Sequence, residues 1–413
     1  MRKMVLISLD AVYREDLSRL DPEGFLHGLL KRSAVCDQVK TVFPSLTYPA
    51  HVTLLTGCDP VDHGIGHNQP FQPDKEPEMR AWYWDAAEIR RPTLFDAVRQ
   101  AGGRSASVLW PVTGRHRAIR WNFPEVLALP GENQTLKMLS YGTPAWILST
   151  ELRLGKQRVS TQEPHLSDYG CLLACDAIRQ KRPDLTALHM VDVDSMRHHH
   201  GVTSPEAMAG LNRLDQRVRR IFETVKATPG MEDALFVLVS DHGQADVDRT
   251  VCLTDVLERA GYGGVLRVQS NGITAYLYRG CDDEERMEKA FLYLEKNGIS
   301  LGVERVYDEE SLRLLGCVVE NGERIFGAVE AAVGVVFSDA LPEAKREKAT
   351  HGFGPWHPAS DCLLVIHGQG IPEGLTLPPM PMRDVAPTLA ELMGVQLSTA
   401  TGKSHAGLMK KWV

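Results

Sequence analysis

Several large classes are closed to this chain by what it lacks. Its longest apolar runs, such as ALFVLVS at 234–240, are strand-length and fall well short of the roughly 20 residues that a membrane-crossing helix needs. No long basic run occurs and the net charge is −7, which argues against binding long nucleic acid through a basic face. A small anionic substrate stays open, because a bound metal can reverse the local charge. The eight cysteines, Cys36, Cys58, Cys171, Cys175, Cys252, Cys281, Cys317 and Cys362, include no CxxC pair. No second cluster answers Cys171 and Cys175 to make a thiolate zinc site, so reduced, mostly buried thiols are expected. The opening MRKMVLISLD is basic and then apolar, yet the apolar part is short and runs into Asp10 without a small-residue cleavage site. It reads as a first strand, and the protein as cytoplasmic, with no membrane partner. Internal repeats and low-complexity tracts are also missing.

What is present is an ordinary globular composition, 43% hydrophobic and 24% charged over 413 residues. That length suggests a large α/β domain carrying an insertion. Short β-branched or apolar runs alternate with helical patterns. MVLISLD (4–10), SASVLWP (105–111), LTALHMVDVD (185–194) and ALFVLVSDHG (234–243) read as strands. PTLFDAVRQAGG (92–103) and LSDYGCLLACDAIRQKR (166–182) read as helices. Ser204, Pro205 and Glu206 spell a capped helix start. The alternation predicts a doubly wound, mostly parallel α/β sheet flanked by helices. Residues 1–255 and 349–413 would form this core. From 256 to 348 a hairpin pattern and the amphipathic stretch DDEERMEKAFLYLEKNG read as a small α+β insertion. The sheet resumes at DCLLVIHGQGI, and MRDVAPTLAELMG closes the chain as a helix.

Ligands of such sheets bind at the carboxyl ends of strands. Asp10, Asp194 and Asp241 each end an apolar strand in this reading, which points to one shared site. In DVDSMRHHHG, a helical turn after the strand would bring Asp194 and His198 to one face, where both can meet one metal. In VSDHG, Asp241 and His242 can converge in the turn beyond their strand. In THGFGPWHP, either His351 or His357 could complete a ligand set. FPSLTYPAH, residues 43–51, combines turn-forming prolines with the hydroxyl of Thr47. A threonine hydroxyl attacks well only when it loses its proton, which metal coordination promotes. Two divalent ions about 3.5–4 Å apart would activate such an oxygen and stabilise phosphoryl oxygens.

Taken in order along the chain, these residues resemble the alkaline phosphatase superfamily, and within it the nucleotide pyrophosphatase/phosphodiesterase (type I phosphodiesterase) branch. The matching text is LISLD, FPSLTYPAHVTLLTGCDPVDHGIGHN, SVLWP, DVDSMRHHHG, VSDHG and THGF. It spans residues 4–255 and 349–395 and is weakest over the insertion. The resemblance implies an alkaline phosphatase-like fold and two metal ions, zinc first, with manganese or iron as alternatives. One site would use Asp194, His198 and His351. The other would use Asp10, Asp241 and His242, with Thr47 as nucleophile touching its metal. Asn68 would hydrogen-bond a non-bridging phosphate oxygen. The implied chemistry is in-line attack by Thr47 on a small phosphodiester or pyrophosphate of nucleotide type, a phosphothreonine intermediate, and its hydrolysis.

The departures are Arg197, where the family usually has glycine, and the FGPWHP continuation after His351. Arg197 is expected on the outward surface, with substrate contact as the alternative, and His357 is an additional candidate ligand. His51 and His63 are expected to orient their loop. Phe43, Tyr48 and Phe71 could stack a nucleobase, although core packing is the better reading for Phe43. A sulfatase is disfavoured because Thr47-Tyr48-Pro49-Ala50-His51 lacks both the cysteine or serine and the arginine of that signature. A phosphonoacetate hydrolase or a phosphomonoesterase of the superfamily remains an alternative. The former needs cations for the substrate carboxylate, with Lys40, Arg115, Arg117 and Arg120 as candidates. An inactive metal-binding module is the distant alternative, since every implied ligand and the nucleophile are kept.

Overall fold

A computed structural model describes residues 1–339 and 347–410. Its main sheet has eight strands. Six come early: β1 (Met4–Leu9), β2 (Ala34–Lys40), β3 (Ser105–Val108), β4 (Ile119–Phe123), β5 (Leu185–Met190) and β6 (Leu235–Val239). The strands Asp361–His367 and Met380–Pro381 complete it. In space the order is Met380–Pro381, β2, Asp361–His367, β6, β1, β5, β3, β4. Asp361–His367 alone runs antiparallel to its neighbours; every other pairing is parallel. This is the doubly wound, mostly parallel sheet expected from the sequence.

Each central strand is buried on both faces, which is why these segments are apolar throughout rather than alternating. Met4 and Leu6 feed one core with the helices Thr47–Thr56, Leu94–Gln100 and Val385–Met393. Val5 and Ile7 feed the other, against Phe25–Lys31, His165–Lys181 and Pro205–Ala227. The last of these starts as its sequence predicts: the Ser204 side chain accepts from Ala207 N, and proline takes the first helical position.

One element differs from the expectation. LTALHMVDVD is not strand to its end. β5 stops at Met190, and Asp192–His200 is a helix. Asp194 therefore sits in a first helical turn, where a carboxylate is favoured by the helix dipole, and not at a strand end.

A second, four-stranded antiparallel sheet is built from Leu266–Asn271, Thr274–Arg279, Val303–Asp308 and Ile325–Ala331. It lies within the stretch 256–348, of which residues 340–346 fall outside the described residues. Met287, Ala290 and Leu294 of the helix Glu284–Lys296 pack on it, in one cluster with Tyr13, Phe353 and Ala359 of the main body. Two short pairings tie its entry and exit to the core. Arg249–Val251 pairs with Val335–Phe337, and Ala245–Asp246 with Ala349–Thr350. No helix among the described residues is long and apolar enough to cross a membrane.

Arg197 corrects a second expectation. It is fully buried, not outward. Its guanidinium lies 2.5 and 3.0 Å from the two carboxylate oxygens of the equally buried Asp16 and donates to the Ala11 carbonyl. Ala11 adopts a left-handed φ of 58°, a conformation costly for a residue with a Cβ. Its N–H is held by Asp241 at 3.2 Å and its carbonyl by Arg197. Arg197, where glycine was expected, braces the turn that follows Asp10. Removing Arg197 would leave the Ala11 carbonyl without its donor and Asp16 with only the partly exposed Arg19, 2.8 Å away, as counter-charge. Arg197→Met is therefore expected to lower stability by about 3 kcal/mol, read from the urea midpoint. A loss below about 0.5 kcal/mol, the range of an ordinary surface change, would contradict this bracing role.

Candidate active site

Strand register assembles the centre of the site. Ser8 pairs with Val239 and Leu9 with Met190. Continued past the strand ends, the same register puts Asp10 beside Asp241. His242 follows at once, and its Nε2 lies 3.3 Å from Asp241 Oδ2 and 3.6 Å from Asp10 Oδ1.

FPSLTYPAH brings the hydroxyl to the same point. After β2 the chain turns, and Thr47 opens the fully buried helix Thr47–Thr56. Pro49 is tolerated there because first-turn N–H groups need no helical acceptor. The Thr47 hydroxyl stands 3.2 Å from His242 Nε2. The Tyr48 N–H donates to Asn68 Oδ1 at 2.9 Å, which orients that amide.

His351 follows the second sheet in the chain. Ala349–Thr350 pairs with Ala245–Asp246, just beyond His242. His351 Nδ1 then donates to Ser45 O at 3.0 Å, and its ring stacks on His242 with centroids 3.8 Å apart. Gly352 follows at φ 110°, where a Cβ would come within 2.8 Å of Asn271 O, so this return loop accepts only glycine. Asp194 Oδ1 lies 3.3 Å from His198 Nε2 and 4.0 Å from His351 Nε2, and the Gln244 amide also donates to it.

Asp10, Asp241 and His242 form one group with metal-holding geometry, and Asp194, His242 and His351 form another. His198 adjoins the second through Asp194. His51, His189 and Asp241 make a third group that the sequence did not suggest. His357 lies outside all three, its ring stacked on Phe353 and its Nδ1 accepting from Ala359 N. His51 and His63 are engaged locally, with the Thr47 carbonyl and the Thr53 hydroxyl respectively.

A divalent cation suits this donor set. Asp10 Oδ1 and Asp241 Oδ2 are buried without a hydrogen-bond donor, a costly state for carboxylate oxygens. Burial, then the negative charge of Asp194, pushes the Asp10 carboxyl up to about 7. Burial, then Asp10 itself, raises Asp241 well above the usual carboxylate range. Burial also keeps His242 well below the ordinary imidazole value, helped by His351. At Asp194 the cost of burial is outweighed by His198, which holds its carboxyl low.

The cluster opens into a cleft of about 740 Å³ lined by Thr47, Tyr48, Asn68, Trp82, Glu125 and Leu127 among others. Tyr48 and Trp82 meet edge to face, with centroids 5.3 Å apart. Phe43 and Phe71 are core residues of another cluster. The four cations considered for a substrate carboxylate lie elsewhere. Lys40 pairs with Asp361, Arg115 with Asp85, and Arg120 packs over Trp121. Arg117 lines a separate hollow. A larger hollow of about 970 Å³, which Trp82 also lines, includes Arg115 and Lys137 but none of the Asp/His cluster.

Sequence reasoning missed His189, Glu125, Gln244 and Trp82. Glu125 was within reach, because it stands just past the carboxyl end of β4, where such sheets place functional groups. His189 was not, since a polar residue inside an apolar strand gives no sign of which side chains it will meet.

A model of the family described as type I phosphodiesterase / nucleotide pyrophosphatase matches residues 4–322. Human ectonucleotide pyrophosphatase/phosphodiesterase family member 5 is 24% identical over 273 residues, covering 63% of this chain and 49% of that protein. A bis(5′-adenosyl)-triphosphatase of Xenopus laevis is 22% identical over 283 residues, covering 67% and 54% respectively. The chain thus spans about half the length of these two curated relatives. Among solved structures, an inactive variant of murine ectonucleotide pyrophosphatase/phosphodiesterase 5 in complex with AMP superposes with a TM-score of 0.74. It shows 17% identity and covers 100% of this chain and 99% of that one, which establishes a shared fold.

In ion-free protein the raised Asp10 carboxyl keeps its proton up to about pH 7, and a cation must expel it. Divalent-ion binding is therefore expected to release protons and to weaken as pH falls below that value. Titration calorimetry in buffers of different ionisation enthalpy measures the release. Affinity independent of pH between 5 and 8 would contradict this electrostatic picture.

Proposed function

The chain belongs to the type I phosphodiesterase / nucleotide pyrophosphatase family, and from that premise we propose that it hydrolyses phosphodiester or pyrophosphate bonds of nucleotide-type substrates with Thr47 as the nucleophile. The observation that carries this is the convergence of Thr47 Oγ1, Asp10 Oδ1 and Asp241 Oδ2 on His242 Nε2, within 3.2 to 3.6 Å.

Two divalent ions, one at Asp10, Asp241, His242 and Thr47 and one at Asp194, His198 and His351, would supply the Lewis acidity that lowers the threonine pKa and offsets phosphoryl charge. Nitrogen and oxygen donors of this kind suit zinc. The chain's own residues do the rest. Thr47 is fixed at a helix start, where the dipole favours an incoming phosphoryl group. The Asn68 carbonyl is committed to Tyr48 N–H, so its amide N–H groups are left for a non-bridging phosphoryl oxygen. Stacking of His351 on His242 keeps the two metal sites adjacent. The half-buried Trp82, with Leu127 and Leu166 beside it, suits a planar, partly apolar group such as a nucleobase. The Xenopus relative's name and the AMP bound by the murine structure are consistent with that substrate class.

The cleft favours a diester over the alternatives. No lysine or arginine stands among its described lining residues. A phosphonoacetate carboxylate, or the second charge of a phosphomonoester, would lack a protein cation.

Thr47→Ala is expected to reduce turnover of p-nitrophenyl-TMP at least about 10³-fold while retaining bound metal by elemental analysis. Unchanged hydrolysis would refute the nucleophile. A metal-supplemented panel of p-nitrophenyl-TMP, p-nitrophenyl phosphate, ATP, a phospholipid headgroup diester and phosphonoacetate checks the substrate class. Preference for the monoester or the phosphonate would overturn the diesterase reading.

A further inference from the structure

His189 is buried within β5, and both of its ring nitrogens face acceptors. Nε2 lies 3.0 Å from Asp10 Oδ2. Nδ1 lies 3.0 Å from Glu125 Oε2 and 3.2 Å from the Leu109 carbonyl. The second Glu125 oxygen accepts from the Tyr48 hydroxyl at 3.1 Å. One continuous chain of hydrogen bonds therefore runs from the cleft wall, through Glu125 and His189, to Asp10.

A carboxylate turns easily about its terminal torsion, which is broad and two-fold. Asp10 could offer either oxygen, or both, to the centre of the site. In this structure Oδ2 is taken by His189, and Oδ1 is the oxygen that faces His242 Nε2. Oδ1 is also the one without a donor. Outer partners of this kind typically change metal affinity by about 10–100-fold when removed. Although His189 groups with His51 and Asp241 in metal-holding geometry, hydrogen bonds to carboxylate or carbonyl oxygens occupy both its nitrogens. It is therefore a poor ligand for a further ion.

Resting on the function proposed above, we propose that His189, itself aligned by Glu125, is a positioning residue that holds Asp10 with a single oxygen presented to the metal site. Glu125 lines the cleft and shares its other oxygen with the residue after the nucleophile. Anything that pulls on Glu125 is thereby felt at Asp10.

The test is equilibrium dialysis of the full chain against Zn²⁺ and Mn²⁺, with steady-state turnover of p-nitrophenyl-TMP across metal concentrations. His189→Asn can keep the Nδ1-side hydrogen bond but does not reach Asp10. It is expected to bind one of the two ions about 10–100-fold more weakly, with kcat restored by excess metal and KM little changed. His189→Gln places an amide nitrogen near the Nε2 position and is expected to recover most of that affinity. A purely structural role would lower Tm in both variants alike and leave metal affinity alone. Wild-type affinity in His189→Asn overturns the inference. Should that variant fail to fold, Glu125→Ala at the cleft wall decides: weakened metal binding supports the proposal, and unchanged binding refutes it. Failure of the wild-type protein to bind a divalent ion would instead overturn the function proposed above, and this inference with it.

Discussion

Asp10 and Asp241 stand side by side because β1 and β6 are parallel and in register, and burial leaves neither carboxylate water to hold its charge. In a low-dielectric interior two such anions repel strongly and are each poorly solvated. The fold meets this with position rather than with paired lysines or arginines. His242 follows Asp241 directly, the Ala11 and His242 N–H groups bind Asp241 Oδ1, and His189 binds Asp10. One oxygen of each carboxylate is left unmatched at the centre, and that unmet demand is what suits the place to a cation.

The rest of the molecule holds that centre together from three directions. The strained turn after Asp10 is closed by the buried Arg197–Asp16 pair. The loop carrying Thr47 and the loop carrying His351 are locked by Ser45, whose carbonyl accepts from His351 and whose hydroxyl accepts from Gly352 N. The second sheet is consequently more than an appendage. The strand that follows it pairs beside His242 and delivers His351, so an imidazole more than a hundred positions downstream of His242 becomes the neighbour on which that ring stacks.

The same geometry links the cleft wall to the Asp/His cluster. The buried Tyr48 packs against Trp82 of the cleft, and is at once the N–H donor that orients Asn68 and the hydroxyl donor to Glu125. Glu125 leads on to His189 and Asp10. Two side chains, Glu125 and His189, thus connect Tyr48 to Asp10 at the centre of the cluster.

Much of this was legible in the linear text. Apolar runs ending in Asp10 and Asp241, the spacing of Asp194 and His198, and the turn-forming block around Thr47 are local patterns. Strand and helix periodicities, together with the rule that parallel sheets bind ligands at strand ends, convert such patterns into a fold and a candidate site. The remainder depended on contacts between segments far apart in sequence. Arg197 looked like a surface residue because nothing local marks Asp16 as its buried partner. The strand at 185–190 ended early because tertiary packing favoured a helix start at Asp192. His357 was a rival to His351 until the Ala349–Thr350 pairing decided which imidazole reached Asp194. His189 carried no local signal at all, since the direction of a buried polar side chain is set by the acceptors that other strands bring to it. The sequence by itself determined the sheet, the loop that carries Thr47 and the inventory of carboxylates and imidazoles. Only the tertiary structure decided which of them meet, because burial, register and hydrogen-bond satisfaction are properties of neighbours in space.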